Sequence, residues 1–231
     1  MNIGGFQKLT LLDYPGYTAC TIFTTGCNMR CPFCHNSKLA KEQYNTIAEN
    51  VLFDFLKSRV GLLDGVCISG GEPTLQKDLK LFIQNIKDLG YLVKLDTNGT
   101  NTNTMIDLVE SGYIDYVAMD IKNSFDKYSM TCGIQSFYLG NIKRSIDYLL
   151  HSSIDYEFRT TIVKNYHTKT DVKLIANEIS GCKNYYMQKF VKSNSIIDSR
   201  CEEQSDEEFV ELYNEMKQYI PNVQLRGVSL V

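Results

Sequence analysis

The chain has 231 residues, 43% of them hydrophobic, with 24 Lys and Arg against 27 Asp and Glu. That length and apolar share suit one globular domain with a real core, and no apolar run approaches the length of a membrane span, so the sequence implies no membrane partner. A formal net charge of -3 without a basic cluster argues against a nucleic-acid partner, which needs gathered Lys and Arg to neutralise phosphate.

From Thr18 onward, β-branched runs alternate with helical patterns, the signature of repeated βα units and a parallel sheet. The first strand is expected over 18–25 and is followed by a cysteine-bearing loop. A helix over 46–59 opens with Thr46 and Glu49 in capping-box spacing and carries Ile47, Val51, Leu52, Phe55 and Leu56 on one stripe. A strand over 65–69 leads to a helix marked by Leu79, Phe82, Ile83, Ile86 and Leu89, which Gly90 ends. Next come a strand over 91–97, a helix from Thr102 to Ser111 stopped by Gly112, and a strand over 115–122. Leu139, Ile142, Ile146, Leu149 and Leu150 mark a fourth helix before a strand over 156–163, and Val172 to Ile179 a fifth before a strand over 184–191. Ser205 and Glu208 cap a sixth helix bearing Phe209, Leu212, Tyr213 and Met216, and a strand over 223–230 closes the pattern.

The acidic run Glu202, Glu203, Asp206, Glu207 and Glu208 suits the positive end of that last helix. No linker rich in Gly, Pro or Ser divides the chain. A single α/β domain over 1–231, a partial (βα)6 TIM-type barrel with a parallel sheet and outer helices, accounts for the whole pattern. Barrel active sites sit at the C-terminal ends of the strands. The polar residues fall there: the cysteine loop, Ser69-Gly70-Gly71-Glu72-Pro73, Asp96-Thr97-Asn98-Gly99 and Asp120-Ile121-Lys122, with Arg159 and Gln188 inside later strands.

Cys27-Asn28-Met29-Arg30-Cys31-Pro32-Phe33-Cys34 can close three thiolates round one metal centre from a single loop, taken as 26–36. A 4Fe–4S cluster normally takes four thiolates, so a set of three leaves one iron open to a substrate or cofactor. Three rival readings use the same residues, the plainest being buried structural thiols. Cys31-Pro32-Phe33-Cys34-His35 spells the haem-attachment sequence, and His35 with the three cysteines would make a zinc site. Haem attachment belongs to exported compartments, whereas the start of this chain has neither a basic nor an apolar leader region, and adjacent Cys34 and His35 are awkward co-ligands. The expected compartment is therefore the reducing cytoplasm. Cys20, Cys67, Cys132, Cys182 and Cys201 are scattered and read as core or loop filler, without an auxiliary cluster domain.

Asp96 and Asp120, at the ends of neighbouring strands, repel unless a cation or a proton relieves them, although Asp96-Thr97-Asn98-Gly99 also reads as plain turn chemistry. Lys122 and Arg159 are costly inside a barrel without partners, and those partners are either an anionic ligand or the same aspartates. His151 and His167 read as helix-end and surface residues. Neither a Ser-His-Asp order nor a phosphate-cradling loop is present.

The cysteine loop, Gly70-Gly71-Glu72-Pro73 and the βα order resemble the radical S-adenosylmethionine superfamily. Within it, Gly4 to Leu39, above all Leu11-Leu12-Asp13-Tyr14-Pro15-Gly16 and Cys34-His35-Asn36, is similar to the activating proteins of anaerobic ribonucleoside-triphosphate reductases, relatives of pyruvate formate-lyase activating enzyme. The resemblance implies that Cys27, Cys31 and Cys34 bind one 4Fe–4S cluster whose fourth iron is chelated by S-adenosylmethionine. It implies that Gly70, Gly71 and Glu72 meet the methionine ammonium, and that Phe33 touches adenine or plugs the loop. Lys122 and Arg159 would meet the cofactor carboxylate or ribose, and Gln188 the adenine or ribose. Asp96, Thr97, Ala118 and Asp120 would match a monovalent cation site. The implied activity is an oxidoreductase reaction: reductive cleavage of S-adenosylmethionine to a 5′-deoxyadenosyl radical, which makes a glycyl radical on a partner enzyme. Flavodoxin or ferredoxin would be the electron donor. Direct radical modification of a small molecule, nucleoside or peptide is the alternative, and a non-catalytic electron-transfer protein a third.

Overall fold

A computed structural model describes residues 1–41, 45–133 and 139–227 of the chain. Its strands are β1 (Ile3–Thr10), β2 (Ala19–Thr24), β3 (Gly65–Gly70), β4 (Leu92–Thr97), β5 (Tyr116–Asp120), β6 (Asp155–Ile162), β7 (Tyr185–Lys189) and β8 (Val223–Arg226). The helices are α1 (Ser37–Ala40), α2 (Glu49–Lys57), α3 (Leu79–Lys87), α4 (Thr102–Glu110), α5 (Tyr128–Cys132), α6 (Leu139–His151), α7 (Lys169–Glu178) and α8 (Asp206–Lys217), with 3-10 turns at Pro73–Leu75 and Phe125–Lys127. The strands form one sheet in the order β1 to β8. The fold is α/β with a mostly parallel sheet, as the alternating pattern requires, and the six βα units run from β2 to β7. The last strand was expected to reach 230, and residues 228–230 lie outside the described residues.

The chain divides into two compact units: residues 1–28 with 38–118, and residues 29–37 with 119–231. The boundary passes through the cysteine loop and through β5, neither of which has the composition of a linker.

In the first unit, β1 is the one strand the alternating pattern does not announce. It pairs antiparallel with β2, Phe6 opposite Ile22, and only its end residues Ile3 and Thr10 are fully buried, so it carries little apolar periodicity. Strands β2, β3 and β4 are parallel, with Thr21 opposite Cys67 and Cys67 opposite Lys94. Leu79, Phe82, Ile83 and Ile86 are the buried stripe of α3, each contributing about 1.5–3 kcal/mol when fully removed from water.

The expected capping box at Thr46 and Glu49 is not formed. Helix α2 starts at Glu49 with Ala48 as its cap residue, and the Glu49 carboxylate pairs with the Met1 amino group instead. The local spacing was correct, but a more distant charge took the carboxylate.

In the second unit, β6, β7 and β8 are parallel, with Arg159 opposite Tyr186 and Gln188 opposite Arg226. Tyr156, Phe158, Thr160 and Ile162 alternate on one face of β6 and are buried, leaving Glu157, Arg159 and Thr161 on the other. Glu157 is fully buried there and accepts a two-pronged contact from Arg226, 2.8 Å on each oxygen, while the Arg226 guanidinium stacks 3.8 Å over the Tyr186 ring. Helix α8 has the expected Ser205–Glu208 capping box. Helix α7 begins three residues earlier than expected, because Thr168 and Asp171 form a second capping box.

Candidate cofactor site

Gly70-Gly71-Glu72 leaves β3 as a tight brace for the chain that leads into Cys27. The Gly71 amide donates to the Thr24 carbonyl at 2.9 Å and the Glu72 amide to the Gly26 carbonyl at 2.8 Å. A Cβ on Gly71 would lie 2.0 Å from the Gly26 carbonyl oxygen, and Gly70 sits at φ +110° with its Cβ position 2.4 Å from the Thr24 amide nitrogen. The glycines are thus demanded by the close approach of the two strand ends.

The Glu72 side chain is 1% exposed. One carboxylate oxygen accepts from the Thr74 amide (3.1 Å), the Thr74 hydroxyl (2.6 Å) and the Thr97 hydroxyl (2.8 Å), and the other accepts from the Asn98 amide (2.7 Å). Burial pushes the carboxyl up from its ordinary value, and these four hydrogen bonds work against that shift. Glu72 therefore ties the end of β3 to the end of β4, and its carboxylate is committed to protein donors.

Asn28 and Asn98 stand inside segments named from the sequence but without a role of their own, and Thr100 lies outside those segments. Asn28, Asn98 and Thr100 form a closed ring of hydrogen bonds: Asn98 Nδ2 to Asn28 Oδ1 at 2.9 Å, Asn28 Nδ2 to Thr100 Oγ1 at 2.8 Å, and Thr100 Oγ1 to Asn98 Oδ1 at 2.6 Å. Asn98 Nδ2 also lies 3.9 Å from the Cys27 sulfur. Such residues are common in turns, and only the fold shows that the ring brings an amide to a thiol.

Asp96 pairs with Lys94 at 2.5 Å and accepts from the Ser69 hydroxyl at 2.9 Å. Lys94 is 1% exposed and lies 5.9 Å above the Tyr116 ring. In the second unit Asp120 is bracketed by Lys122 at 2.9 Å and Arg159 at 3.0 Å. Each carboxylate thus has a protein cation beside it; the Thr97 hydroxyl donates to Glu72, and Ala118 is buried within β5.

Around Cys31 and Cys34 the second unit places the Lys122 ammonium together with the Asp120 carboxylate. The thiol of Cys132 contacts Cys31 and favours its thiolate, burial opposes this, and the Lys122 ammonium adds to it, leaving Cys31 below the ordinary thiol value. Burial dominates at Cys34 and pushes that thiol up, although Lys122 again opposes it. Burial likewise works against the charge on Lys122, but the Asp120 carboxylate and the Cys31 thiolate hold it above its ordinary value. Cys132 is therefore more than filler. It ends α5, its carbonyl accepts the Arg30 amide at 2.8 Å, and Gly133 follows at φ +68° where a Cβ would stand 1.9 Å from the Arg30 carbonyl oxygen.

Phe33 is 4% exposed, with ring centroids 6.0 Å from Tyr166 and 6.4 Å from Phe190, the geometry of a plug for its loop. The chain after β7 backs the same loop: Asp198 donates to the Pro32 carbonyl at 2.9 Å, Ser37 donates to the Ser195 carbonyl, and His35 lies against Phe190. Gln188 is exposed, opposite Thr161 and Arg226 in the register.

His151 is exposed as expected, but His167 is not a surface residue. It is buried, accepts the Val163 amide at Nδ1 (3.0 Å) and places Nε2 3.0 Å from the Lys122 carbonyl. Burial lowers its basicity, so it serves as a neutral bridge that fixes the backbone at Lys122. The difference comes from its hydrogen bond to the Lys122 carbonyl, 45 residues away in the sequence and not visible locally.

The family model for the radical SAM superfamily matches residues 21–178. The chain belongs to the radical SAM superfamily. It is 35% identical over 98% of its length to the "Putative glycyl-radical enzyme activating enzyme MJ1227" of Methanocaldococcus jannaschii, covering 96% of that protein. It is also 27% identical over 73% of its length to the 7-carboxy-7-deazaguanine synthase of Thermoplasma acidophilum, covering 82% of that protein. Among solved structures, Streptococcus suis SuiB bound to S-adenosylmethionine superposes with a TM-score of 0.70 at 16% identity, over 88% of this chain and 49% of that one. A domain of pyruvate-formate lyase-activating enzyme from Bacteroides vulgatus superposes at 0.57 and 16% identity, over 71% of this chain and 99% of that one. The partial-barrel fold is shared with these structures.

Membership in the radical SAM superfamily implies a 4Fe–4S cluster and S-adenosylmethionine. The donor set fits such a group: Cys27, Cys31 and Cys34 are not tied up in disulfides, Cys27 has an amide beside it, and Lys122 faces both Cys31 and Cys34 with positive charge suited to thiolates. Among the described residues no three His, Cys, Asp or Glu side chains gather tightly enough for a single metal ion. A cluster distributes its thiolates over separate irons and makes no such demand. Among the described residues no helix is long and apolar enough to cross a membrane.

Proposed function

We propose that this radical SAM enzyme is an activase that installs a glycyl radical on a partner enzyme, with anaerobic ribonucleoside-triphosphate reductase as the partner. The observation that carries the reading is the end-to-end likeness, over 98% of the chain, to a protein named as a glycyl-radical enzyme activating enzyme. The Leu11-Leu12-Asp13-Tyr14-Pro15-Gly16 and Cys34-His35-Asn36 segments support it.

Cys27, Cys31 and Cys34 would hold the cluster. When bound, the cluster with S-adenosylmethionine supplies one-electron reductive cleavage of the sulfonium, and thereby an adenosyl radical able to take a hydrogen atom from glycine. The chain's own residues prepare for this. Gly70 and Gly71 leave their backbone close to the cysteine loop, Lys122 and Arg159 offer cations to a carboxylate or ribose, and Phe33 closes the loop against water. Flavodoxin or ferredoxin is the proposed donor. Asp96, Thr97, Ala118 and Asp120 remain a proposed monovalent cation site, and Gln188 a proposed nucleoside contact.

The test is anaerobic incubation of the reconstituted protein, S-adenosylmethionine and reductant with the candidate reductase. A carbon-centred doublet in electron paramagnetic resonance that requires all components supports the reading. Cofactor cleavage without any such signal, across glycyl-radical partners, overturns the activase and favours direct modification of a small molecule, the chemistry suggested by the likeness to 7-carboxy-7-deazaguanine synthase. In parallel, Cys31→Ala should abolish cluster assembly, and unchanged iron content and ~400 nm absorption in that variant would remove Cys31 as a ligand.

A further inference from the structure

We infer that Asn98 is a positioning residue that donates an amide hydrogen bond to the Cys27 sulfur and so raises the tendency of the bound cluster to accept its electron. The inference rests on the proposal that Cys27 is a cluster ligand and adds to it the group that tunes that ligand.

The geometry leaves Asn98 little choice. Its Oδ1 accepts from both the amide (3.0 Å) and the hydroxyl (2.6 Å) of Thr100, which fixes which end of the side chain is oxygen. A flipped amide would set an NH2 group against the Thr100 N–H. Of the two hydrogens on Nδ2, one is spent on Asn28 Oδ1 at 2.9 Å, and the other points toward the Cys27 sulfur at 3.9 Å. The backbone is held as firmly, because the Asn98 amide donates to Glu72 Oε2 at 2.7 Å.

Asn98 is only 6% exposed, so its dipole acts on the sulfur with little screening by water. A donor at a cluster-ligating sulfur withdraws charge and favours the reduced state, since hydrogen bonds to sulfur are among the groups that set cluster potentials. The rigid Asn28–Asn98–Thr100 ring holds that donor in place before the cluster is bound. No covalent step is required of Asn98, and it transfers no proton.

The experiment is a potentiometric titration of the anaerobically reconstituted protein without S-adenosylmethionine, following the reduced cluster by electron paramagnetic resonance. Asn98→Ala should retain its iron but show, at a fixed potential, a reduced-to-oxidised ratio lowered about tenfold, a shift of ~59 mV for one electron. Thr100→Val, which keeps the amide but removes the hydroxyl that pins it, should shift the ratio in the same direction by less. Iron-loaded variants that titrate with the parent protein overturn the inference while leaving Cys27 as a ligand. If Asn98→Ala gives no soluble protein, the Thr100→Val titration decides, and an unchanged ratio there overturns it. A parent protein that binds no cluster overturns the underlying reading itself.

Discussion

Replacing Glu72 separates a scaffold role from a ligand role, because the scaffold role operates without any cofactor. In Glu72→Ala the Thr97 and Thr74 hydroxyls can turn to other acceptors, but the backbone amides of Thr74 and Asn98 cannot. Both lose their acceptor at a site that is 1% exposed. Each orphaned buried donor costs about 1–3 kcal/mol. Removing a carboxylate whose ionisation burial disfavours returns part of that, so the net loss is about 2–4 kcal/mol. For a chain of this size the thermal midpoint should fall by roughly 4–16 °C. Glu72→Gln keeps the volume but sets an NH2 group against one of the two amides, and should fall between the parent and the alanine variant. The assay is a circular-dichroism melt of cluster-free protein under argon. A Glu72→Ala midpoint within about 1 °C of the parent would refute the tie between β3 and β4 and return Glu72 to a purely ligand-facing part.

Gly71→Ala should lose more than about 3 kcal/mol, because the new Cβ meets the Gly26 carbonyl 2.0 Å away and neither backbone can yield cheaply; a melt together with the iron content after reconstitution checks it. Arg226→Leu takes away the two-pronged partner of the fully buried Glu157 carboxylate and should cost about 3–5 kcal/mol, whereas the double variant Glu157→Leu/Arg226→Leu should recover much of it in urea titrations. Glu178 has its carboxyl pushed up to about 7 from 4.5 by burial, with one oxygen accepting the Phe125 amide and the other buried without a partner. The folded state therefore holds a proton between those values that the unfolded chain has released, so this group makes stability fall as pH rises from about 4.5 to about 7. Glu178→Gln should flatten that part of the stability profile and leave the variant more stable than the parent above pH 7; an unchanged pH slope in urea titrations would count against it.

The βα order was legible because each parallel strand is a short β-branched run and each helix an apolar stripe with a glycine or a cap at its end, as in Gly65–Gly70 followed by Leu79–Lys87. The cysteine loop was legible because its three thiols are close in sequence. Most of what escaped is set by distance along the chain. The contact of Cys132 with Cys31 and the ring that joins Asn28 to Asn98 and Thr100 bring together residues far apart in the sequence, whereas the pairing of Lys94 with Asp96, two residues apart, stands out only once the burial of Lys94 is known. The Gly-Gly-Glu segment was recognisable as a motif, but its reason was only half visible, since the surface that forbids a side chain at Gly71 is the carbonyl of Gly26. Strand β1 was hidden for another reason. A half-exposed edge strand with glycines at its start has no alternation strong enough to distinguish it from a loop.

The stretch from Phe190 to Cys201 has no regular structure, yet it supplies the amide on Pro32, the carbonyl that receives Ser37 and the ring against His35. Anyone transplanting residues 29–37 into another scaffold, or building chimaeras between relatives, would have to carry this distant strap as well. A graft cut at the borders of the cysteine motif would arrive without its support and should be floppy in solution, however faithfully the cysteines were copied.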